Sequence, residues 1–303
     1  MNLSDFISLT PIDYGWSGDK KYRALMPDGT PYFLRITSRG RGDRFRRLFD
    51  LLAAVAATGI PMCAPVAIGE CEDGIYAVHT WIDGEDAEAA VPTLPADLQY
   101  RLGQDAGRYL TRIHSIPAPA DQPDWEARFN AKIDRKLRMY AECPVHFEGD
   151  SHVIRYVEEN RHLLYGRPQC FQHGDYHIGN MMLTGGRENP RIAVIDFDRF
   201  DFGDPWEEFN RIVWCAQAAP VFATGLVDGY FSVGAHKTVP PDFWRLLALY
   251  IGSNTLSSLP WAIPFGEGEI RVMQNQARDV LTWFDNMENP VPSWYDPALS
   301  QKI

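Results

Sequence analysis

The chain has 303 residues, 45% apolar and 13% aromatic, a composition that supports a sizeable core and excludes a disordered or low-complexity polypeptide. A formal net charge of −11 opposes binding to a phosphate backbone, so no nucleic-acid partner is expected. No apolar run reaches the length of a membrane-crossing helix, and the five cysteines (63, 71, 143, 170, 215) include no CxxC pair, which suits reduced thiols in a cytoplasmic protein with no membrane partner.

The first eighty residues read as strands with one helix. Pro11 to Trp16 and Lys21 to Met26 flank a Gly-Trp-Ser-Gly-Asp turn, Asp28-Gly29 is a hairpin signal, and Pro31 to Thr37 forms a third strand. Arg44 to Thr58 has apolar residues at helical spacing and is stopped by Gly59 and Pro61. Ala64 to Ile68 and Ile75 to Trp81 alternate as two further strands, and Asp83-Gly84-Glu85 reads as a hinge.

The remainder of the chain reads as mainly helical. Leu98 to His114 carries one apolar face, Ser115 to Pro123 is a proline-rich link, and residues 125–164 are helical and polar. Residues 167–204 form a loop-and-strand block, and Pro205 to Ala218, Phe243 to Leu259 and Gly268 to Met287 read as closing helices. Strands first and helices after give an α+β class, with lobes expected at 1–82 and 83–303. Residues 1–83 hold 9 Lys and Arg against 10 Asp and Glu, leaving 20 against 30 for residues 84–303. The acidity thus belongs to the second part, where it would attract a cationic ligand.

Residues 173–180 read His-Gly-Asp-Tyr-His-Ile-Gly-Asn, and the apolar run Ile192 to Ile195 ends in Asp196-Phe197-Asp198. A carboxylate (Asp175) and an amide (Asn180) therefore share one short loop, while a second carboxylate (Asp196) ends a buried strand. Phosphoryl transfer needs a carboxylate near the attacking hydroxyl and oxygen ligands for magnesium. The protein-kinase signature spaces its catalytic Asp and its Asn by the same five residues, and places its metal Asp before Phe-Gly. Here Asp198 stands at the Gly position. Another reading takes His173, Asp175 and His177 with Asp196 and Asp198 as the metal cluster of a hydrolase. That alternative leaves Asn180 and the strand-rich first part without a role.

On His173-Gly174-Asp175 through Asn180, on Ile195 to Asp198, on Gly203-Asp204-Pro205 and on the Gly107 to His114 helix, the chain resembles the aminoglycoside phosphotransferase and choline kinase family, which shares the protein-kinase fold. The resemblance, covering about residues 10–285, implies a bilobal architecture: a small antiparallel-sheet N-lobe with one helix and a larger, mainly helical C-lobe. It implies Asp175 as the base, Asn180 and Asp196 as magnesium ligands, and ATP or GTP as donor. His173 and His177 would brace the loop, Asp198 would cap the turn or touch the metal, and Asp204 would steady the block. Glu208 stands where the family has Asp.

The phosphate-binding Lys of the family is replaced by Arg35, and the helix that normally offers a Glu to it has none, with Asp50 as the nearest substitute. Ser17 and Gly18, in the turn between the first strands, would cradle phosphates, and the main chain at His79 and Trp81 would meet the base. The aromatic and acidic residues after 205 point to a hydroxylated, cationic small molecule, an aminoglycoside-like antibiotic or an amino alcohol, with Glu208, Glu267 and Glu269 as recognition candidates. A nucleotide-binding but inactive regulator of the same fold is the alternative raised by Arg35 and the missing Glu.

Overall fold

A computed structural model describes residues 1–13, 18–233 and 238–299. In chain order the elements are β1 (Ser8–Pro11), β2 (Lys20–Leu25), β3 (Pro31–Thr37), α1 (Gly42–Ala57), β4 (Pro65–Cys71), β5 (Gly74–Thr80), β6 (Glu85–Asp86), α2 (Ala87–Ala90) and α3 (Ala96–Ile113). Then come α4 (Trp125–Ala141), α5 (Asp150–Glu159), β7 (Cys170–Gln172), β8 (Met181–Thr184), β9 (Arg191–Val194), β10 (Asp201–Gly203), α6 (Ile212–Ala218), α7 (Pro220–Phe231), α8 (Pro241–Ala262) and α9 (Glu267–Trp283). They divide between two compact units, Met1–Ala87 with Asn180–Asp198, and Glu88–Gly179 with Arg199–Ile303. A small antiparallel-sheet part and a larger helical part match the α+β architecture expected from the sequence.

The first unit is built on an antiparallel sheet in the order β1-β2-β3-β5-β4. The period-two alternation of a strand sorts its side chains onto two faces. On one face Ile75 and Ala77 of β5 pack with Phe45 of α1; on the other Tyr76 and Val78 join Ala24, Leu34 and Ile36. Arg35, between Leu34 and Ile36, therefore lies on the α1 face, its guanidinium carbon 5.5 Å from the centre of the Phe45 ring. A second sheet, β6-β8-β9, brings Asn180–Asp198 into this unit, and Val194 N donates to Pro61 O at 2.9 Å.

In the second unit α3 packs along α7 at very short range. A Cβ added at Gly103 or Gly107 would lie 2.2 Å from a carbonyl oxygen of α7, and one at Gly225 or Gly229 would meet α3 just as closely. Glycines four apart on both helices put the two backbones in contact. Helices α4, α5 and α9 pack on α8, which is buried on nearly all sides. The β7–β10 pair, with Phe171 opposite Phe202, holds the loop after Gln172 beside Gly203-Asp204-Pro205.

Several elements differ from the sequence reading. The first strand is β1, which ends at Pro11 where the expected strand begins, and residues 14–17 of the expected strand and turn lie outside the described residues. The hinge at Asp83-Gly84-Glu85 runs into β6, whose pairing with β8 carries the first unit past residue 82 to Ala87. Residues 125–164 break into α4, α5 and a 3-10 turn at Arg161–Leu164. The expected helix Pro205 to Ala218 starts as a 3-10 turn at Glu207–Arg211 before α6. Helix α7 has no counterpart among the expected elements.

Candidate active site

The loop between β7 and β8 is pinned residue by residue within the second unit. Gly174 has φ 84°, and a Cβ there would sit 2.0 Å from Arg199 O, so this position requires glycine. Gly174 N donates to Glu208 Oε1 at 2.9 Å, and Asp175 N donates to His173 Nδ1 at 3.2 Å. Gly179 N donates to His177 Nδ1 at 3.1 Å, and Tyr176 Oη donates to Ala106 O at 2.7 Å. Because both histidines accept at Nδ1, a neutral ring carries its proton on Nε2. His173 is fully buried under the loop, and Ile178 is buried with its N–H directed at Cys215 Sγ.

Asp175 itself is flanked by cations. Arg211 Nε lies 3.0 Å from its Oδ1 and Arg199 Nε 3.5 Å from its Oδ2, while His177 Nε2 is 3.8 Å from Oδ1. Burial alone would raise the Asp175 pKa, but the positive charge of Arg211, with His177, Arg199 and His173, carries it below the ordinary carboxylate value. His177 is driven the other way for a base. Burial, against the pull of Asp175, lowers it to about 4, so it is neutral at neutral pH.

Behind the loop lies a buried polar layer. Glu208 is 2% exposed; its Oε1 takes the Gly174 N–H and its Oε2 lies 3.7 Å from His114 Nε2. Neither of those facing atoms has an aligned hydrogen bond, while the other ring nitrogen of His114 is 3.0 Å from Tyr230 Oη. Asp204 is fully buried and accepts both arms of Arg167 at 2.7 and 2.9 Å and Tyr250 Oη at 2.6 Å. Such a bidentate pair fixes orientation as well as charge. Glu208 thus faces the loop backbone, not a substrate surface.

The other motif residues sit in the first unit. Ile195 N donates to Asn180 O at 3.0 Å, which sets Asn180 beside the end of β9, where Asp196 follows. Asp196 adopts φ 61°, a conformation rare outside glycine, and its Oδ1 faces Asp198 N at 3.4 Å. Asp198 pairs with Arg35 at 2.8 Å and with Arg41 at 3.2 Å. Arg35 also grips Asp19. Asp50 on α1 is exposed.

His79 is buried against Phe33 and Phe49, its pKa lowered to about 4 by burial and by Arg35. Its main chain is paired with β3 and β4. Trp81 lies under the Arg23 guanidinium at 5.5 Å, Gly18 is exposed and a Cβ there would meet nothing within 4 Å among the described residues, and Ser17 is outside them.

The family model described as phosphotransferase enzyme family (APH) matches residues 8–241, well over half of the chain. The chain belongs to that family. It is a phosphotransferase with a hydroxyl group as acceptor. No curated protein matches it. Solved structures share its fold. The GDP and kanamycin complex of APH(2")-IIia is 15% identical, with TM-score 0.65 over 90% of this chain and 94% of the other. A choline/ethanolamine kinase family protein from Mesorhizobium loti is 17% identical, with TM-score 0.64 over 93% and 91%. Amicoumacin kinase hAmiN in complex with AMP-PNP, Ca2+ and Ami is 14% identical, with TM-score 0.63 over 97% and 92%.

The remaining expected site residues of the phosphotransferase are spread out. Glu267 and Glu269 occupy the first turn of α9, where a helix N-terminus favours acidic side chains in its own right. Trp244 is core, and Trp206 stacks on the Arg167 guanidinium at 3.9 Å. Sequence reasoning missed Asp19, Arg199 and Arg211, which reach their partners only through tertiary structure. For Asp19 a signal existed: extending the Lys20↔Ile36 register by one sets it across from Thr37, diagonal to Arg35. Among the described residues no group of three or more His, Cys, Asp and Glu side chains stands ready to hold a metal, and no helix is long and apolar enough to cross a membrane.

Proposed function

We propose that this phosphotransferase moves the γ-phosphoryl group of a magnesium–nucleotide, ATP or GTP, to a hydroxyl of a small molecule, with Asp175 as the base that accepts or orients the hydroxyl proton. The observation that carries this reading is an Asp175 kept ionised by Arg211 and Arg199 on a loop whose backbone is held at Gly174, Asp175, Ile178 and Gly179. Catalysis of this class is mostly positioning and charge stabilisation, and a pinned carboxylate meets the first demand.

For the metal, the residues present fit. Asn180 and Asp196 belong to the same unit, at paired strand ends, and offer hard oxygens, as magnesium with a substrate polyphosphate requires. A magnesium ion there would neutralise charge on the transferring phosphates. Arg35 is the cation at the position of the family's phosphate-binding Lys, and Asp204, Glu208 and His173 hold the loop. For the acceptor, the acidity of residues 84–303 and the kanamycin and choline/ethanolamine chemistry named for the structural neighbours support a cationic, hydroxylated molecule, an aminoglycoside or an amino alcohol.

The test is a panel of aminoglycosides, macrolides and amino alcohols incubated with MgATP or MgGTP and followed by mass spectrometry. One acceptor should gain about 80 Da, the mass of one phosphoryl group. Tight nucleotide binding without transfer to any acceptor would mark an inactive regulator instead.

A further inference from the structure

The charges around Arg35 in the first unit form a set larger than one phosphate-binding cation needs. Arg35 holds Asp19 through its Nε and Nη2, and its Nη2 also lies 2.8 Å from Asp198 Oδ1. Arg41, in the turn before α1, holds the same two carboxylates: Nη1 at 2.9 Å from Asp19 Oδ1 and Nη2 at 3.2 Å from Asp198 Oδ2. Thr37 Oγ1 adds a bond to Asp19 Oδ1 at 2.9 Å, and Arg44 Nη2 donates to the Asp198 carbonyl at 3.0 Å.

The two carboxylates are not equivalent. The Asp19 side chain is 3% exposed and both its oxygens are taken, by Arg35 on one and by Thr37 and Arg41 on the other. Asp198 is 23% exposed, lies outside any strand, and follows Asp196, the residue held at positive φ. Arg35 donates an aligned hydrogen bond from Nε to Asp19 only, whereas it meets Asp198 through Nη2 alone, as an ion pair without alignment. A buried guanidinium requires a counter-charge at all times, and carboxylate and phosphate oxygens satisfy its planar fork in the same way. Arg35 and Arg41 both point at Asp198, and Arg41 is 43% exposed.

Building on the reading of Arg35 as a phosphate contact, we propose that Asp19 is the positioning carboxylate of Arg35, and that Asp198 is a placeholder which the nucleotide polyphosphate displaces from Arg35 and Arg41. Asp19 then does from the head of β2 what the absent helix Glu would do. Arg41 becomes a second phosphate contact. Nucleotide entry exchanges one anion for another at the same two guanidiniums, so the chain's own Asp198 competes with its ligand.

The decisive measurement is the dissociation constant of metal-free ATP, in EDTA, by calorimetry. Removal of the competitor in Asp198→Asn should tighten binding about tenfold, the worth of one charge-assisted contact, while Asp19→Asn and Arg41→Met should each weaken it by a similar factor. Tightening is a change that loss of a mere structural strut cannot produce. Unchanged or weaker binding by a folded Asp198→Asn overturns the placeholder. If that variant does not fold, arginine side-chain NMR of the wild type decides: ATP must shift the Arg41 Nε–H signal, and an unmoved signal overturns the proposal. Arg35→Met separates the two levels. Unchanged ATP affinity there overturns the underlying reading of Arg35, whereas weakened binding there with no gain in Asp198→Asn overturns the placeholder alone.

Discussion

The two units treat their key charges in opposite ways. In the first, Arg35 and Arg41 are matched by Asp19 and Asp198, two guanidiniums against two carboxylates. In the second, the single carboxylate of Asp175 meets both Arg199 and Arg211, and the nearer of them, Arg211 Nε at 3.0 Å, is not aligned for a hydrogen bond. A cluster balanced in charge can exchange one of its carboxylates for an incoming anion. A carboxylate facing an excess of positive charge stays ionised, so its oxygens stay competent to take a hydrogen bond from a hydroxyl. The proposed function assigns phosphate chemistry to the first set and proton chemistry to the second.

The largest effect that tests this contrast is at Asp175. Asp175→Asn keeps the shape of the side chain and removes its basicity, so kcat should fall by about two to four orders of magnitude, the usual worth of general-base catalysis. The nucleotide dissociation constant, measured on the same preparation, should change little. Full turnover by the variant would remove proton chemistry from the second set.

Smaller, but specific to the support of the loop, is Glu208. Glu208→Ala leaves the Gly174 N–H without its acceptor and His114 without its neighbour in a dry site, at a cost of about 1–3 kcal/mol. Chemical denaturation would read that cost. Glu208→Gln retains an acceptor oxygen and should recover most of kcat. A Glu208→Ala enzyme that is less stable yet turns over normally would reduce Glu208 to packing.

Much of this layout was legible before the structure. Alternation and turn residues gave β2, β3 and β5, helical spacing gave α1, and the motifs around Asp175, Asn180, Asp196 and Asp204 together carried the resemblance to the family. What escaped was set by tertiary contact. Helix α7 is buried on almost every side, so it shows no amphipathic period, and its Gly225 and Gly229 read locally as helix breakers although they seat it against α3. Strand β6 has only two residues and exists through its pairing with β8. The acid for Arg35 was sought on α1, at Asp50, and is supplied by Asp19, the residue before β2, because antiparallel register, not chain proximity, chooses neighbours in a sheet.

The gentlest test is pH, because among the described residues each unit buries one histidine whose pKa is lowered to about 4, His79 in the first and His177 in the second. Unfolded, each would titrate near 6.5. Between those values the unfolded chain binds protons that the folded chain refuses, so stability must fall as pH drops from about 6.5 to about 4. The loss is on the order of 2–3 kcal/mol per histidine when the whole window is crossed. The carboxylates act in a lower window. Asp175 and Asp198 are depressed below their unfolded values, so the stability they contribute is present above about 4 and is lost only as pH falls through their folded values. Urea denaturation at steps from pH 7 to pH 4.5 should therefore show a decline that His177→Gln reduces by about half, leaving the His79 share. A profile that stays flat to pH 5 would mean that neither histidine is held neutral, and the contrast between the units would then rest on their arginines and carboxylates alone.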